Sequence, residues 1–130
     1  MNMRTEFNDE RRHELVGLNY NRETRYDVKR FEGVDAETVK TLIDEGYLEE
    51  DDSQNASPTA LEIYNIMSRY PGMTAHGYIV TPSRSDCRVT LEGVEYNASL
   101  SKEDMADIGA EFECADTFEL SPTGFYCWYD

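Results

Sequence analysis

The acidic stretch that ends at Glu62 contains the side-chain oxygens that a calcium-binding loop requires. In an EF-hand frame that begins at Asp51, the ligand positions fall on Asp51, Ser53, Asn55, Ser57, Thr59 and Glu62. Helical patterns flank the segment on both sides, as this motif requires. Two residues depart from it, because Ala56 stands where the sharp turn needs glycine and Pro58 interrupts the frame. The sequence favours a solvated interhelical loop without a metal, with calcium binding as the alternative.

A second combination of reactive residue types is His76 with Cys87, on two neighbouring predicted strands. A nucleophilic thiol needs an adjacent base or a positive field to lower its pKa, and a histidine supplies both. However, Cys87 alternates in phase with Val89 and Leu91, which is typical of a small apolar residue in the core. The sequence favours the structural role, and a small Cys/His enzyme stays as the alternative.

The C-terminal residues 125–129 form the third combination. In a strand, Phe125, Cys127 and Tyr129 point to one face, whereas Tyr126 and Trp128 point to the other. The first face should close the core. Tyr126 and Trp128 either pack in a second buried layer or form an exposed aromatic surface, and both residue types are common at binding hot spots.

Sequence motifs for familiar enzyme classes are absent. The chain has no phosphate-binding P-loop, no glycine-rich dinucleotide fingerprint and no nucleophile elbow. Its three cysteines (Cys87, Cys114 and Cys127) and two histidines lack the spacing of a zinc site or a disulfide framework. We therefore expect a non-enzymatic protein that carries no cofactor.

Helical periodicity and caps predict the elements that must position these residues. A short helix is predicted over residues 9–18, and a second begins after the N-cap Asp35 and runs to about Glu45. For the third helix, Ser57 is the predicted N-cap and Pro58 the first helical residue. Ser101 and Asp104 resemble a capping box before a fourth helix. The predicted strands are His76–Thr81, Cys87–Glu92, Thr117–Leu120 and Phe125–Tyr129.

This order predicts an α+β fold in a small single domain: three N-terminal helices, a β-hairpin, a further helix and a C-terminal β-hairpin. Residues 1–30 are assigned to a mixed-charge arm or short helix, and residues 31–130 to a compact domain. The arrangement of three helices and a hairpin is similar to a winged-helix unit in layout alone.

Charge is the strongest compositional feature. The chain carries 27 acidic and 12 basic residues, a net charge of −15. Residues 1–40 hold 9 acids and 8 bases, whereas residues 41–130 hold 18 acids and 4 bases, so the excess lies almost entirely in the second part. Direct binding of nucleic acid is disfavoured, because phosphates require a positive contact surface.

We therefore expect a small acidic protein that binds and regulates a basic protein partner. A narrower hypothesis is an inhibitor that mimics nucleic acid and acts on a basic nucleic-acid-binding partner. The predicted contact residues are Glu49, Glu50, Asp51, Asp52, Glu103, Asp104, Asp107, Glu111, Glu113, Asp116, Glu119, Tyr126 and Trp128. A homodimer through the exposed aromatic residues is a further possibility.

The alternative explanation of the charge is adaptation to a salt-rich habitat, which would produce an acidic surface whatever the protein did. The nearly neutral first 40 residues count against a uniform adaptation. No run approaches the ~20 apolar residues of a membrane span, and the N-terminal residues lack the apolar segment of a secretory signal. We therefore expect a cytoplasmic protein without membrane contact.

Overall fold

The structure is a computed structural model that describes residues 9–18, 28–80 and 88–130. Helices and strands alternate irregularly along the chain, which confirms the α+β class. The elements are α1 (Asp9–Leu15), β1 (Val28–Val34), α2 (Ala36–Asp44), α3 (Ala60–Arg69), β2 (Thr74–Val80), β3 (Arg88–Tyr96), α4 (Lys102–Glu111), β4 (Thr117–Ser121) and β5 (Gly124–Trp128).

The strands form one antiparallel sheet in the order β1-β2-β3-β5-β4. Strand β1 separates the first helix from the second, so the prediction of three consecutive N-terminal helices is wrong, and with it the winged-helix-like layout. The period-two pattern of β1 is hidden because only Phe31 and Val34 are buried and an irregularity in the register lies between them. Strand β1 also begins inside the stretch assigned to the N-terminal arm.

Two helix starts were predicted correctly. The Asp35 carboxylate accepts a hydrogen bond from the Thr38 amide at 2.8 Å. Ser101 and Asp104 form the reciprocal hydrogen bonds of a capping box at the start of α4. Each cap satisfies backbone N–H groups that the first helical turn leaves without partners.

The predicted start of α3 is wrong by two residues. Thr59, not Ser57, is the N-cap, and it forms a capping box with Glu62. The Ser57 hydroxyl instead accepts a hydrogen bond from the Gln54 amide at 2.8 Å, which fixes the preceding turn. Both residues can cap, but Thr59 has a glutamate three residues later and Ser57 does not.

The helices pack against one face of the sheet and enclose the core. Buried side chains of this layer are Val39, Leu42, Ile63, Ile66, Met67, Ala75, Ile79, Val89, Leu91, Ile108, Phe112 and Phe125. Aromatic contact joins α4 to β5, because the Phe112 and Phe125 ring centroids are 5.5 Å apart. Tyr126 therefore lies on the opposite face, and no described helix covers that face.

Candidate functional site

The face of the sheet that the described helices leave uncovered, called here the uncovered face, contains an open groove with a volume of about 500 Å³. Strands β1, β2, β3 and β5 form its floor, and the turn that follows α1 forms one end. The polar and aromatic side chains that line it include Arg30, His76, Glu92, Glu95, Tyr126 and Trp128. Aromatic rings and acidic groups therefore lie side by side on this face.

A bulge in β3 shapes the centre of the groove. His76 pairs with Gly93 and Gly77 pairs with Leu91, so Glu92 is an extra residue between the two pairs. Gly93 has no side chain, and a Cβ there would lie 2.9 Å from His76 Cε1. The His76 ring can therefore extend across β3 and reach Tyr126 on β5.

The Glu92 carboxylate is buried although it lies on the face away from the helices. Its side chain is 4% exposed, and it accepts hydrogen bonds from the Arg30 guanidinium and, at 3.2 Å, from Trp128 Nε1. The Arg30 side chain is 67% exposed and extends inward from the edge strand. Because a buried carboxylate without a partner is strongly unfavourable, Arg30 and Trp128 compensate for the burial of Glu92.

His76 links the two sides of the groove. Its Nε2 donates a hydrogen bond to the Cys127 carbonyl at 2.9 Å, and its ring stacks on Tyr126 with centroids 5.2 Å apart and planes 7° apart. Burial lowers the pKa of His76, and this effect outweighs the Cys127 carbonyl and the nearby carboxylates of Glu92 and Glu95. The ring is therefore neutral at neutral pH and acts as a flat aromatic surface.

Tyr126 lies between two carboxylates. The strand register places Glu95 of β3 directly opposite Tyr126 on one side and Glu119 of β4 opposite it on the other. Side chains paired in this way lie on the same face, with Cβ atoms about 5 Å apart. Burial raises the pKa of Tyr126 most, and nearby acidic groups including these two glutamates raise it further. We call Glu95, Tyr126 and Glu119 the acidic row.

The same face already holds guanidinium groups against a second tyrosine. The Arg30 and Arg88 guanidinium carbons lie 5.9 and 5.5 Å from the centre of the Tyr78 ring. Arg88 Nη2 also donates a hydrogen bond to the Tyr78 hydroxyl at 2.9 Å. Tyr78 has Arg30 as its cross-strand neighbour, whereas Tyr126 has two glutamates.

The structure divides the predicted contact surface into separate parts. Glu119, Tyr126 and Trp128 lie on the groove face. Residues of α4 and the segment after it belong to the helical side of the sheet, and the acidic loop lies between α2 and α3. The members outside the groove are Glu49, Glu50, Asp51, Asp52, Glu103, Asp104, Asp107, Glu111, Glu113 and Asp116.

Some carboxylates of α4 have internal partners. Asp107 forms an ion pair with Arg69 at 2.9 Å and accepts a hydrogen bond from the Tyr70 hydroxyl at 2.8 Å. Asp104 caps its own helix. Burial raises the pKa of Glu111, and the charges of Glu62 and Asp107 add to this effect. The contacts of Asp107 with Arg69 and Tyr70 join α4 to α3.

Two of the alternative calcium ligands also have internal partners. The Glu62 carboxylate accepts a hydrogen bond from the Thr59 amide at 2.9 Å as part of the helix cap. The Asn55 side chain donates to the backbone carbonyl of Asp130. No cluster of three or more His, Cys, Asp or Glu side chains among the described residues has the geometry to hold a metal ion.

Two of the three cysteines lie in the part of the chain that the structure describes. Cys127 is buried, which raises its pKa to about 12 despite a hydrogen bond from the Val94 amide. Such a thiol stays protonated and is a poor nucleophile. Cys87 lies outside the described residues, so its predicted place in the core and the alternative pairing with His76 are both untested. Cys114 is exposed.

Sequence reasoning missed several groove residues, namely Arg30, Glu92 and Glu95. Arg30 belongs to the strand that was not predicted. Alternation along β3 predicts that Glu92 lies on the face opposite Leu91, but it does not predict that Glu92 is buried there. A signal for the bulge was present, because Gly93 interrupts an otherwise strand-like run and glycine inside a strand often marks a bulge. A bulge next to Gly93 changes the direction of the neighbouring Glu92 side chain.

Comparison of the chain with protein-family models, with curated proteins and with solved structures found no match. None of the helices in the described parts of the chain is both long and apolar enough to cross a bilayer. Function is therefore inferred from the groove.

Proposed function

We propose that this protein binds a basic segment of a protein partner in the groove on the uncovered face of the sheet. The observation that supports this most directly is the acidic row, in which Tyr126 lies between Glu95 and Glu119. An aromatic ring attracts a cation through its negative face, and carboxylates beside it strengthen that attraction. A lysine or arginine side chain of the partner fits this chemistry.

The charge of the whole chain supports the same class of partner. A net charge of −15 accelerates encounter with a cationic surface and opposes binding to another acidic one. The flat rings of His76, Tyr126 and Trp128 then supply apolar contact area once the partner has arrived. The carboxylates therefore select the charge of the partner, and the rings anchor it.

The binding can be measured through Trp128, which is the single tryptophan of the chain and lines the groove. A short basic peptide and an acidic peptide of equal length are titrated into the protein while the tryptophan fluorescence is recorded. We expect a saturable change with the basic peptide and none with the acidic peptide. The affinity should fall as salt is raised, because both binding surfaces are charged.

A matched pair of double variants separates the groove from general electrostatics. Glu95→Gln with Glu119→Gln removes two charges from the acidic row, whereas Glu103→Gln with Glu113→Gln removes two exposed charges from the helical side. The first pair should weaken binding roughly tenfold or more, and the second should change it much less. Equal losses, or no saturable binding to the basic peptide, would overturn the proposal.

The narrower hypothesis of an inhibitor that mimics nucleic acid follows from the net charge. If it is correct, the chain competes with nucleic acid for a basic partner, and added nucleic acid releases the partner from the groove. A partner that binds the chain and nucleic acid simultaneously would contradict it. The non-enzymatic nature of the protein also stays a prediction.

A further inference from the structure

We infer that the groove reads arginine in preference to lysine, with the guanidinium stacked on Tyr126 between Glu95 and Glu119. This inference rests on the proposed function and specifies which side chain of the partner is recognised. It follows from the geometry of the acidic row, from the way this sheet face holds its own arginines, and from the chemistry of the two cations.

The spacing of the acidic row suits a flat cation. Glu95 and Glu119 belong to the two strands on either side of β5, so their backbones lie roughly 10 Å apart, with Tyr126 midway. A guanidinium that lies flat on the ring directs its N–H groups outward in its own plane. It can therefore donate a hydrogen bond to a carboxylate on each side while it stacks on the ring. A compact ammonium is less suited to making both contacts at once.

The sheet provides an internal example of the same contact. Arg30 and Arg88 place their guanidinium groups over Tyr78, and Arg30 also forms an ion pair with a carboxylate, that of Glu92. Thus one half of this face combines tyrosine, carboxylate and guanidinium within the chain. The other half repeats tyrosine and carboxylate at Tyr126, where the main charged groups acting on the ring are acidic.

Access to Tyr126 is also consistent with an external cation. Glu95 and Glu119 are exposed and Tyr126 is half-buried, so a ligand can reach the ring and both carboxylates. Glu95 and Tyr126 line the groove, and Glu119 lines the open depression next to it, which Glu95 and Tyr126 also border. The stacked His76 ring covers one face of Tyr126, so the guanidinium stacks on the other face. A weakly hydrated guanidinium loses less solvation than an ammonium when it enters such a partly enclosed position.

The test uses two peptides of the same length and charge, one built from Gly-Arg-Gly repeats and the other from Gly-Lys-Gly repeats. Dissociation constants are measured by Trp128 fluorescence at one fixed salt concentration. We expect the arginine peptide to bind roughly tenfold more tightly. In Tyr126→Leu the preference for arginine should disappear, and in Tyr126→Phe, which keeps the ring, it should remain.

The outcomes separate this inference from the proposed function. Equal affinities for the two peptides would overturn the preference for arginine and leave the binding of basic segments intact. Failure of both peptides to bind would overturn both. An arginine preference that persists in Tyr126→Leu would also overturn the inference, because it would place the recognition outside the acidic row. Circular dichroism of each variant establishes that the sheet is unchanged.

Discussion

Tyr126 and Tyr78 occupy the same face of the sheet, yet their cross-strand neighbours differ in charge. Tyr78 has Arg30 beside it, whereas Tyr126 has Glu95 and Glu119. The backbones that carry these two exposed carboxylates lie about 10 Å apart, and charges at that range repel each other only weakly through water, so the arrangement costs the folded chain little. A cation placed between the two carboxylates is attracted by both. The binding energy proposed for the groove is this attraction in the complex, set against the weak repulsion in the free protein.

His76 provides a prediction at the scale of a single residue. Burial lowers its pKa below the ordinary value of 6.5, so the unfolded chain binds this proton more readily than the folded one. The free energy of unfolding therefore rises with pH across the interval between the depressed pKa and 6.5. Relative to His76→Gln, which retains a donor for the Cys127 carbonyl, the protein should lose stability as pH falls from about 7.5 to about 5.

The measurement is urea unfolding of both proteins at several pH values, followed by circular dichroism. The other ionisable groups are the same in both proteins, so their contribution to the pH dependence largely cancels in the difference. A difference in unfolding free energy that stays constant with pH would contradict the prediction. A histidine signal that titrates above 6.5 in the folded protein and is lost in His76→Gln would also contradict it.

At the scale of an element, the bulge in β3 depends on glycine. A Cβ on Gly93 would lie 2.0 Å from the Cys127 carbonyl oxygen and 2.9 Å from His76 Cε1. The first contact is with backbone, so the strands must move apart. Gly93→Ala should reduce the free energy of unfolding by about 1–3 kcal/mol, as measured by urea unfolding, and should displace His76 from Tyr126.

Gly109 in α4 supplies the matched control. An added Cβ there meets Leu120 Cδ2 at 3.6 Å and Phe118 Cζ at 3.9 Å, which are ordinary van der Waals contacts. Gly109→Ala should therefore be neutral or stabilising by about 0.5–1 kcal/mol, because alanine favours the helix. If both substitutions destabilise the protein equally, the effect at Gly93 does not arise from the close approach of the two strands.

The same elements show which features local sequence can predict. The caps at Asp35 and Ser101 depend on residues within one helical turn, so a short window of sequence was enough. Strand β1 and the burial of Glu92 depend on partners far along the chain. Arg30 is separated from Glu92 by 62 residues, and neither residue by itself indicates an ion pair.

For the site, the sequence analysis predicted Tyr126, Trp128 and Glu119 as contact residues. It grouped them with acidic residues of α4, which lie on the other side of the sheet. Alternation within β5 correctly predicts which side chains share a face. Pairing between strands decides which acids lie beside Tyr126, and that pairing brings Glu95 and Glu119 to it. The register, set by the whole sheet, was the missing information.

At the scale of the whole molecule, the acidic excess has few internal counter-charges. The ion pairs among the described residues are mostly exposed, and exposed pairs contribute little, typically below about 1 kcal/mol each. The pair of Arg30 with Glu92 differs from these, because the Glu92 carboxylate is buried. Repulsion between the remaining carboxylates therefore outweighs the attraction, and this balance determines how the folded chain responds to salt.

We expect the melting temperature to rise as sodium chloride increases from about 0.01 M to about 0.15 M, over which the screening length falls from about 30 to about 8 Å, and then to level off. The double variant Glu103→Gln with Glu113→Gln, which removes two exposed charges, should melt higher than the unmodified chain at low salt and show a smaller rise. Thermal unfolding followed by circular dichroism measures both effects.

A melting temperature that continues to climb towards molar salt would instead support adaptation to a saline habitat, because screening is already nearly complete below that range. The acidity would then be a trait of the organism, and the case for a basic partner would rest on the acidic row alone.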